Sequence, residues 1–347
     1  MSTVATAGRR KVGPSIGDVA RLAGVSAQTV SRVSTGSQRV RPDTRDRVIA
    51  AMDQLGYSPN QAARALRSGT FGTIGLLAYR FERTGEALTT QAVVAAAEAQ
   101  GYSVTLVNVA NPASTGWRSA AARLSDQAVD GLIIIRAETE TPETLALPAG
   151  LPVAVSDSRL VGYYPAVVAD QIQGSIDAVG HLLGLGHRTV HHIAGPSNSD
   201  PGNLRQAAWQ RRLEEAGIPP PQPQRGDWSA ASGYAAGLRL AADPTATAIY
   251  CANDEMAFGL LRALYEAGRR VPQEVSIVGF DGIALGEFVY PPLTTVAQDY
   301  AEIGRELVRM LLEQVRAQRR RPQERVMVPT NLVIRGTTAP PAPGQGL

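Results

Sequence analysis

The chain has 347 residues, of which 44% are hydrophobic and 19% charged, and its formal net charge at pH 7 is +3. This composition is typical of a soluble protein with several domains, and the length is sufficient for two hydrophobic cores besides a small additional domain. The single cysteine, Cys251, excludes a disulfide framework and a cysteine-based zinc site. The sequence shows neither an apolar signal region nor a stretch as long as a membrane span, which predicts a cytoplasmic protein without membrane contact.

The charge is distributed unevenly along the chain. Residues 1–68 contain eleven Lys and Arg against four Asp and Glu, a net charge of +7, whereas the rest of the chain has a net charge of −4. A basic end on a mildly acidic body indicates that the N-terminal part binds phosphates, as nucleic-acid-binding domains do.

The first structured segment is predicted after a disordered leader, residues 1–14. Its apolar residues recur at helical spacing and form one stripe, which consists of Ile16, Val19, Ala20 and Ala23. Gly24 can adopt the positive φ that ends a helix, and Ser26 is a suitable N-cap for a second helix. The segment therefore predicts two short helices joined by a tight turn.

The second of these helices has two different faces. Val30 and Val33 face the first helix, whereas the outward positions are small or polar: Ala27, Gln28, Ser31 and Arg32. A helix-turn-helix needs this division, because one face fixes the angle between the helices and the other enters the major groove of DNA. A simple helical hairpin would have the same apolar stripe, so periodicity alone leaves both interpretations open.

Two stretches of the N-terminal part follow each other in a specific order, DVARLAGVSAQTVSRV and then TRDRVIAAMDQLGYSPNQAARALRSG. The second stretch contains a predicted third helix, from Pro42 to Leu55, and a short fourth one. Together the two stretches resemble the headpiece of the LacI/GalR family of bacterial transcription repressors. The resemblance implies a helix-turn-helix DNA-binding domain over residues 15–58, followed by a hinge helix and linker over residues 59–71.

The resemblance also implies which side chains contact DNA. The positions that read bases in this family correspond to Ala27, Gln28 and Arg32. Those that hold phosphates or sugars correspond to Ser26, Thr29, Ser31 and Asn60. Leu66 corresponds to the residue that wedges into the minor groove at the operator centre, where a Leu between base steps would kink the duplex. An ordinary Leu on a helix face is the alternative interpretation of Leu66.

Beyond residue 72, apolar runs typical of strands alternate with amphipathic helices. The runs are TIGLLA, SVTLVNV, GLIII, PVAVS and AVVA in the first half and TVHHIAG, TAIYCA and VSIVGF in the second. The helices of the second half are predicted over residues 171–185, 202–216, 255–267 and 300–316. This alternation predicts parallel sheets with helices on both faces, arranged as two lobes.

The resemblance continues along the body in the order DGLIII, LGLGHRTVHHIAGP, GDWSAASGY, ANDEMAFG, VSIVGFD and PPLTTVAQD. It covers roughly residues 15–336 and implies a core like a type I periplasmic sugar-binding protein, in which the chain crosses repeatedly between two lobes. The predicted fold is therefore an all-α helix-turn-helix headpiece plus an α/β two-lobed core. The implied core spans residues 72–336, with the first lobe at about 72–168 and 298–327 and the second at about 169–297 and 328–336.

The C-terminal residues 337–347 are rich in Pro and Gly and are predicted to be a disordered tail. Some members of the family have a leucine-heptad helix at this end, which pairs dimers into tetramers. No apolar heptad occurs here, so we expect a homodimer.

The cleft between the lobes is the implied effector site. A sugar site needs planar polar groups that make two hydrogen bonds at once, together with an aromatic face. Four second-lobe positions match ligand-binding residues of the family: Arg205, Trp228, Asn253 and Asp281. Trp228, between Asp227 and Ser229, is difficult to explain as a core residue, whereas a turn-forming Asp is the alternative for Asp281.

Other positions have weaker or structural interpretations. Three more cleft candidates rest on alignment across the cleft, and a structural role stays open for each: Asp157, Ala78 and Tyr300. Asp254 is interpreted as the N-cap of the helix that follows it. The histidines of the LGLGHRTVHHIAGP run, His187, His191 and His192, are predicted to be structural, and no metal or cofactor is implied. The first lobe lacks the usual polar run after its first strand, so its contribution to ligand identity stays open.

The sequence contains no GxSxG elbow, P-loop, HExxH or GxGxxG motif after a strand, so no catalytic function is predicted. The resemblance implies a repressor of sugar-utilisation genes that binds a near-palindromic double-stranded DNA operator as a homodimer and is released by a small sugar effector. One alternative is the same fold controlled by a corepressor or a partner protein. Another is a sugar-binding transport protein or an enzyme built on this core.

Overall fold

The structure, a computed structural model, describes residues 13–34, 37, 39–57, 70–78, 83–109, 116, 119–120, 122–124, 129–136, 141–145, 147–148, 150–156, 160–317 and 324–342. The chain divides into two units, with the boundary between Phe71 and Gly72. Among the described helices, none combines the length and the apolar character that a bilayer span requires.

The N-terminal unit contains three described helices, α1 (Ile16–Ala23), α2 (Ala27–Ser34) and α3 (Pro42–Leu55). Helix α1 begins with a capping box between Ser15 and Asp18 and ends at Gly24, whose φ of 64° is left-handed. The predicted pair of helices and the third helix are therefore confirmed. The predicted fourth helix and the hinge lie outside the described residues.

One small core joins these three helices. Val19, Val30 and Val48, one from each helix, are fully buried, and Ala23 and Val33 pack in the same cluster. Because the apolar stripes of α1 and α2 are both used in this core, the opposite face of α2 is left for solvent or a partner.

The first lobe of the C-terminal unit is built on a parallel sheet. Its strands are β1 (Thr73–Ala78), β2 (Ser103–Asn108), β3 (Gly131–Ile135), β4 (Val153–Ser156), β5 (Ala166–Ala169) and β11 (Arg325–Val328). They lie in the order β11-β5-β4-β3-β1-β2, and each pair is parallel. The described helices of this lobe are α4 (Thr84–Ala99), α5 (Pro142–Leu145) and α10 (Tyr300–Ala317). Strands β1 and β3 are buried along their whole length, as expected for central strands with both faces covered.

The second lobe repeats this architecture. Its strands are β6 (His191–Ala194), β7 (Gln224–Arg225), β8 (Ala248–Cys251), β9 (Ser276–Asp281), β10 (Thr294–Gln298) and β12 (Thr330–Val333), in the order β12-β10-β9-β8-β6-β7. Only the pairing of β10 with β12 is antiparallel among these described strands. The helices are α6 (Gln171–Gly184), α7 (Asp200–Glu215), α8 (Ala230–Ala241) and α9 (Asp254–Glu266), and a 3-10 turn spans Ala284–Glu287.

The chain passes between the lobes at three points, from β5 to α6, from β10 to α10 and from β11 to β12. Helix α10 packs its buried side chains, among them Leu307 and Leu311, into the first-lobe core with β1 and β3. The helix that begins at Tyr300 thus belongs to the first lobe, and the predicted two-lobed α/β fold class is confirmed.

The C-terminal residues correct one expectation. Thr337 was predicted to begin a disordered tail, but its side chain is fully buried and accepts a hydrogen bond from the Thr294 N–H at 2.8 Å. The same hydroxyl donates to the carbonyl oxygen of Ile277 at 2.7 Å, and Ala339 N–H donates to the Ser276 hydroxyl at 3.0 Å. Composition does not reveal these contacts, because they satisfy backbone groups of strands far away in sequence. Residues 343–347 of the predicted tail lie outside the described part of the chain.

Candidate functional site

The outward face of α2 is the first candidate site. The Ser26 hydroxyl accepts a hydrogen bond from the Thr29 N–H at 3.2 Å and so caps the helix, as predicted. Ser26 and the predicted base-reading positions Ala27, Gln28 and Arg32 are exposed, whereas Thr29 and Ser31 are half-buried. The face can therefore present an amide, hydroxyls and a guanidinium to base edges or phosphates. Asn60 and Leu66 lie outside the described residues.

The second candidate site is the cleft between the lobes, and Arg205 is the central residue of its second-lobe wall. Only 1% of this residue is exposed, although it carries a charge. Its Nη1 donates to the Asp281 carboxylate at 3.2 Å and to the Ala252 carbonyl, while Nε donates to the Gln171 side chain at 2.7 Å. The guanidinium also lies 3.7 Å from the centre of the Phe280 ring. These contacts fix its plane and direction, while Nη2 has no hydrogen-bond partner among the described residues.

Asp281 stands at the carboxyl end of β9, facing the first lobe. Its Oδ1 accepts from Arg205 and, at 2.8 Å, from the Gln298 side chain, and 7% of the residue is exposed. Its Oδ2 would lie 3.9 Å from a Cβ placed on Gly85 of the opposite lobe. The backbone φ of 116° is rare for a residue with a side chain, and such strained positions concentrate at functional sites.

Trp228 lines the cleft but is also a core residue, which corrects the expectation that a core role explains it poorly. It is 3% exposed and packs in one cluster with Ile193 and Met256. The sequence supplies the space through Gly195 and Gly202, where a Cβ would press against the indole ring. The indole Nε1 is buried without a hydrogen-bond partner in the described part of the chain.

Asn253 is the N-cap of α9, and the prediction that Asp254 has this role is wrong. The Asn253 Oδ1 accepts from the Met256 N–H at 3.0 Å, and its Nδ2 donates to the Trp228 carbonyl at 3.0 Å. Because both ends of the amide are used, Asn253 holds the Trp228 segment against the start of the helix. The β-region backbone of Asn253, φ −151°, is what an N-cap requires and Asp254 lacks.

Asp254 lies behind the wall and is fully buried. Its side-chain oxygens accept from the Thr295 hydroxyl at 2.5 Å and from the Ile283 N–H at 2.9 Å. Burial, together with the nearby charge of Asp281, raises the pKa of Asp254 to about 8. The group therefore contributes a largely neutral carboxyl to the structure at neutral pH.

The first-lobe wall contains residues that were not among the predicted site residues. Arg136 follows β3 directly and has a φ of 50°, while Arg83, Thr84 and Gly85 form the start of α4. Nη1 of each arginine lies 3.6 Å from the buried carboxylate of Glu86. The sequence could have indicated Arg136, because polar residues that directly follow parallel strands meet at one edge of the sheet.

The remaining first-lobe candidates have separate outcomes. Ala78 is fully buried at the end of β1, and Asp157 lies outside the described residues. Tyr300 begins α10, and its hydroxyl accepts from the Gln298 side chain at 3.2 Å and faces Gly85. Burial raises the pKa of Tyr300 well above its usual value.

A carboxylate of the second lobe makes hydrogen bonds to the first-lobe wall. Glu255, in the first turn of α9, accepts from the backbone N–H of Thr84 at 3.2 Å and also from the Thr84 hydroxyl. The cavity left between the walls has a volume of about 10 Å³, roughly the space that one water occupies. A sugar therefore enters only if the lobes part or these side chains move.

The buried histidines make protein contacts instead of facing the cleft. His192 stacks between Trp209 and Tyr250, with ring centres 5.1 and 4.8 Å away, and its Nδ1 lies 2.8 Å from the Tyr250 carbonyl oxygen. Desolvation lowers the pKa of His192 to about 3, so the ring is neutral at pH 7. His187 lies 3.0 Å from the Thr247 hydroxyl and 3.1 Å from the Ala339 carbonyl oxygen.

Two protein-family models match the chain at the two candidate sites. A model described as bacterial regulatory proteins, lacI family, matches residues 15–60, and one described as a periplasmic binding protein-like domain matches residues 179–338. The first match covers the helices α1 to α3, and the second contains the residues of the second-lobe wall.

Individual proteins are similar over nearly the whole length. The lactose operon repressor of Escherichia coli K12 is 33% identical over 331 residues, which is 93% of this chain and 90% of the repressor. The crystal structure of the lac repressor dimer bound to operator and the anti-inducer ONPF superposes with a TM-score of 0.83 at 31% identity, and covers 94% of this chain and 100% of that one. The complex of the transcriptional regulator CelR with cellobiose has a TM-score of 0.70 at 30% identity, with 93% and 99% covered.

Proposed function

The chain belongs to the LacI family of bacterial regulatory proteins, and we propose that it is a repressor that binds a near-palindromic operator as a homodimer and releases it when a small sugar binds in the cleft. One observation carries the proposal: a single chain combines the exposed polar face of α2 with a cleft wall on which Arg205, Trp228 and Asp281 converge. The expected location is the cytoplasm, where the operator is.

DNA binding is assigned to α2 and its flanks. Gln28 and Arg32 carry the amide and guanidinium groups that pair with adenine and guanine edges in the major groove. Hydroxyls at the helix start hold phosphates, where the positive end of the helix dipole assists them. The net charge of +7 on residues 1–68 supplies the attraction to the duplex that is independent of base sequence.

Effector binding is assigned mainly to the second-lobe wall. Three buried polar atoms there lack a partner among the described residues: Arg205 Nη2, Trp228 Nε1 and Gln298 Oε1. Burying a polar group without a partner is costly, so hydroxyls of a sugar placed against these atoms would gain their full hydrogen-bond energy. Asp281 would accept from the same hydroxyls through Oδ2. This arrangement favours an inducing ligand in the cleft over control by a partner protein alone.

Release of the operator follows if the sugar binds one arrangement of the lobes more tightly than the other. Such a ligand shifts the equilibrium by its difference in affinity, and the operator in turn weakens sugar binding by the same factor. The Thr84–Glu255 contact joins the lobes in this structure, and opening the cleft would break it.

The homodimer is supported by exposed apolar side chains on the second lobe. Within one short segment, Leu285, Phe288 and Tyr290 are 57%, 80% and 95% exposed. Large apolar side chains gathered in this way on a monomer surface indicate a protein interface. A twofold dimer would present two α2 helices to two half-sites.

The first prediction tests the DNA-binding face by selection from a randomised-site library. Gln28→Ala and Arg32→Ala should each lose about 1–3 kcal/mol of discrimination at particular base positions, since each removes a base contact. Gln54→Ala, on an exposed position of α3, is the matched control and should keep the wild-type preference. If Gln28→Ala and Arg32→Ala select the same sites as the wild type, α2 is not the reading helix.

A further inference from the structure

Two of the segments that connect the lobes carry a buried glutamine. Gln171 is the first residue of α6, directly after the segment that leaves β5, and Gln298 is the last residue of β10, directly before the segment that enters α10. Gln171 is 3% exposed and Gln298 is 8% exposed. Because glutamine is mostly a surface residue, a buried amide indicates that specific hydrogen bonds hold it in place.

Each glutamine is bonded to one member of the Arg205–Asp281 pair on the second-lobe wall. The side-chain oxygen of Gln171 accepts from Arg205 Nε at 2.7 Å, and Nε2 of Gln298 donates to Asp281 Oδ1 at 2.8 Å. The partners fix which end of each amide is used, since a guanidinium can only donate and a carboxylate accepts. Direct side-chain hydrogen bonds therefore join the centre of the effector wall to two of the connections between the lobes.

These connections are bonded further, to the first lobe and to each other. Nε2 of Gln298 also donates to the hydroxyl of Tyr300, the first residue of α10, at 3.2 Å. At the other connection, the Asp170 N–H donates to the Val328 carbonyl at 2.9 Å, and the Thr330 hydroxyl donates to the Asp170 carbonyl at 3.2 Å. Val328 and Thr330 flank the third connection, from β11 to β12. A shift at either glutamine thus reaches the segments that set the arrangement of the lobes.

A ligand in the cleft acts on the same pair from the opposite side. Arg205 Nη2 has no hydrogen-bond partner among the described residues. Asp281 Oδ2 faces the first lobe, where it would lie 3.9 Å from a Cβ placed on Gly85. Each member of the pair therefore has one edge for the glutamine and another for a hydroxyl of the ligand.

We infer that Gln171 and Gln298 are positioning residues that couple effector binding to the arrangement of the lobes. The inference rests on the proposed function and adds how binding in the cleft is transmitted. Hydroxyls that bind Arg205 and Asp281 turn these two groups, and the glutamines transmit the shift to the connecting segments. Hinge movements are absorbed by a few residues at the ends of elements, which is where both glutamines lie. Coupling is reciprocal, so operator binding alters the wall in turn.

The first experiment uses this reciprocity and needs no sugar. Hydrogen exchange is measured by mass spectrometry on the full-length chain, with and without the operator that the wild type selects from a randomised-site library. In the wild type, the segments that carry the pair, residues 200–206 and 281–285, should change their exchange rates severalfold when operator binds. Gln171→Leu and Gln298→Leu should each remove most of that change, because each cuts one of the two links.

Gln314→Leu is the matched control. Gln314 is another buried glutamine, 1% exposed, but its amide donates to the Val153 carbonyl at 2.9 Å, within the first lobe. The variant loses a buried amide as the others do, and should keep the wild-type response.

Two glutamate variants separate positioning from packing, and they stay decisive where a Leu variant fails to fold. Gln171→Glu keeps an acceptor for Arg205 Nε and should keep the response. Gln298→Glu has no donor for Asp281 and repels its carboxylate, so it should lose the response. A role in packing alone would give the same result for both, since the two substitutions have the same shape.

A second experiment measures release of the same operator at saturating sugar. The probe is the one of glucose, galactose, ribose and cellobiose that raises the melting temperature of the wild type most. At saturation the wild type should lose operator affinity by about 5–150-fold, the usual range of such coupling, and the two Leu variants by less than about twofold. Because the comparison is made at saturation, a weaker affinity of a variant for the sugar does not alter it.

Several results would overturn the coupling while leaving the repressor proposal intact. They are an exchange rate of the wild-type segments that operator does not change, a full response in both Leu variants, equal responses of the two Glu variants, and a lost response in Gln314→Leu. Failure of the wild type to select any operator would instead overturn the proposed function. Release by none of the four sugars would count against its sugar effector, and the exchange experiment still decides the coupling.

Discussion

The two walls of the cleft are held by different kinds of contact. On the second-lobe wall, Arg205 and Asp281 bind each other and neighbours on their own lobe, among them Gln171. On the first-lobe wall, Thr84 makes its side-chain hydrogen bond across the cleft, to Glu255. We therefore expect the second-lobe contacts of Arg205 and Asp281 to persist when the lobes part, as should the contacts of Arg83 and Arg136 with Glu86, whereas the contact of Thr84 with Glu255 should be lost. A preformed wall binds a ligand at low entropic cost. A contact between the lobes that is made in only one of their arrangements affects the equilibrium between them.

The largest expected effect comes from breaking the second-lobe wall with Asp281→Ala. The change leaves the buried guanidinium of Arg205 without its carboxylate, which should cost about 3–5 kcal/mol in the free energy of unfolding. Urea denaturation measures this loss, and a titration of operator-bound protein with an effector found by thermal-shift screening should show no release. Operator binding itself should persist.

Glu287→Ala is the control for that experiment. Glu287 also pairs with an arginine of the second lobe, Arg335 at 2.9 Å, but it is 58% exposed on the side chain. An exposed pair contributes about 0–1 kcal/mol. Equal destabilisation by the two variants would show that Asp281 is not part of a buried, preformed wall.

The next effect concerns the pH dependence of the second lobe through Asp254. Its pKa is raised to about 8 in the folded chain, against about 3.9 when unfolded. The folded state thus binds the proton more tightly, so the stabilising contribution is complete below the unfolded pKa and is lost as pH rises towards the folded value. Across this window the wild type should lose roughly 1 kcal/mol per pH unit relative to Asp254→Asn, which cannot titrate.

Urea unfolding of both proteins at several pH values gives that difference, and groups common to both cancel. A difference that stays constant between about pH 5 and pH 8, or that grows in favour of the wild type, would mean that Asp254 is ionised in the fold.

The smallest effect belongs to the contact across the cleft. Thr84→Val removes the hydroxyl that donates to Glu255 but keeps the backbone N–H. The free energy of unfolding should fall by about 0.5–1.5 kcal/mol, the net contribution of one hydrogen bond. Thr84→Ser should restore most of this loss because it retains the hydroxyl. A double-mutant cycle with Glu255→Gln isolates the contact, and an interaction energy of zero would show that the two walls do not hold each other.

The same contrast explains how far the sequence predicts the site. Arg205, Trp228, Asn253 and Asp281 were identified together because each lies in a run of residues shared with a known family, and the structure brings them to one wall. Arg83, Thr84 and Arg136 lie outside these runs, and Arg136, just after β3, meets the start of α4 at Arg83 and Thr84 only in the folded chain.

Two other predictions, the N-cap of α9 and the role of Trp228, were wrong because they depend on backbone geometry and on contacts between residues distant in sequence. The observed N-cap of α9 is one residue before the predicted one, because the capping residue needs an extended backbone and Asn253 has it. Trp228 packs in the core because Gly195 and Gly202 leave space for its ring. Helix and strand periodicity, which depends on local sequence, predicted the α/β elements well, since each buried face repeats along its own segment.

The pairing of β11 with β5 has a consequence for the synthesis of the chain. Arg325–Val328 completes the edge of the first-lobe sheet beside Ala166–Ala169, although the whole second-lobe sheet except β12 is translated between them. Helices α1 to α3 pack on one another and can fold once they have left the ribosome, whereas the first-lobe sheet is complete only after β11 has been synthesised. A nascent chain can thus hold a finished DNA-reading domain before it holds a finished effector cleft.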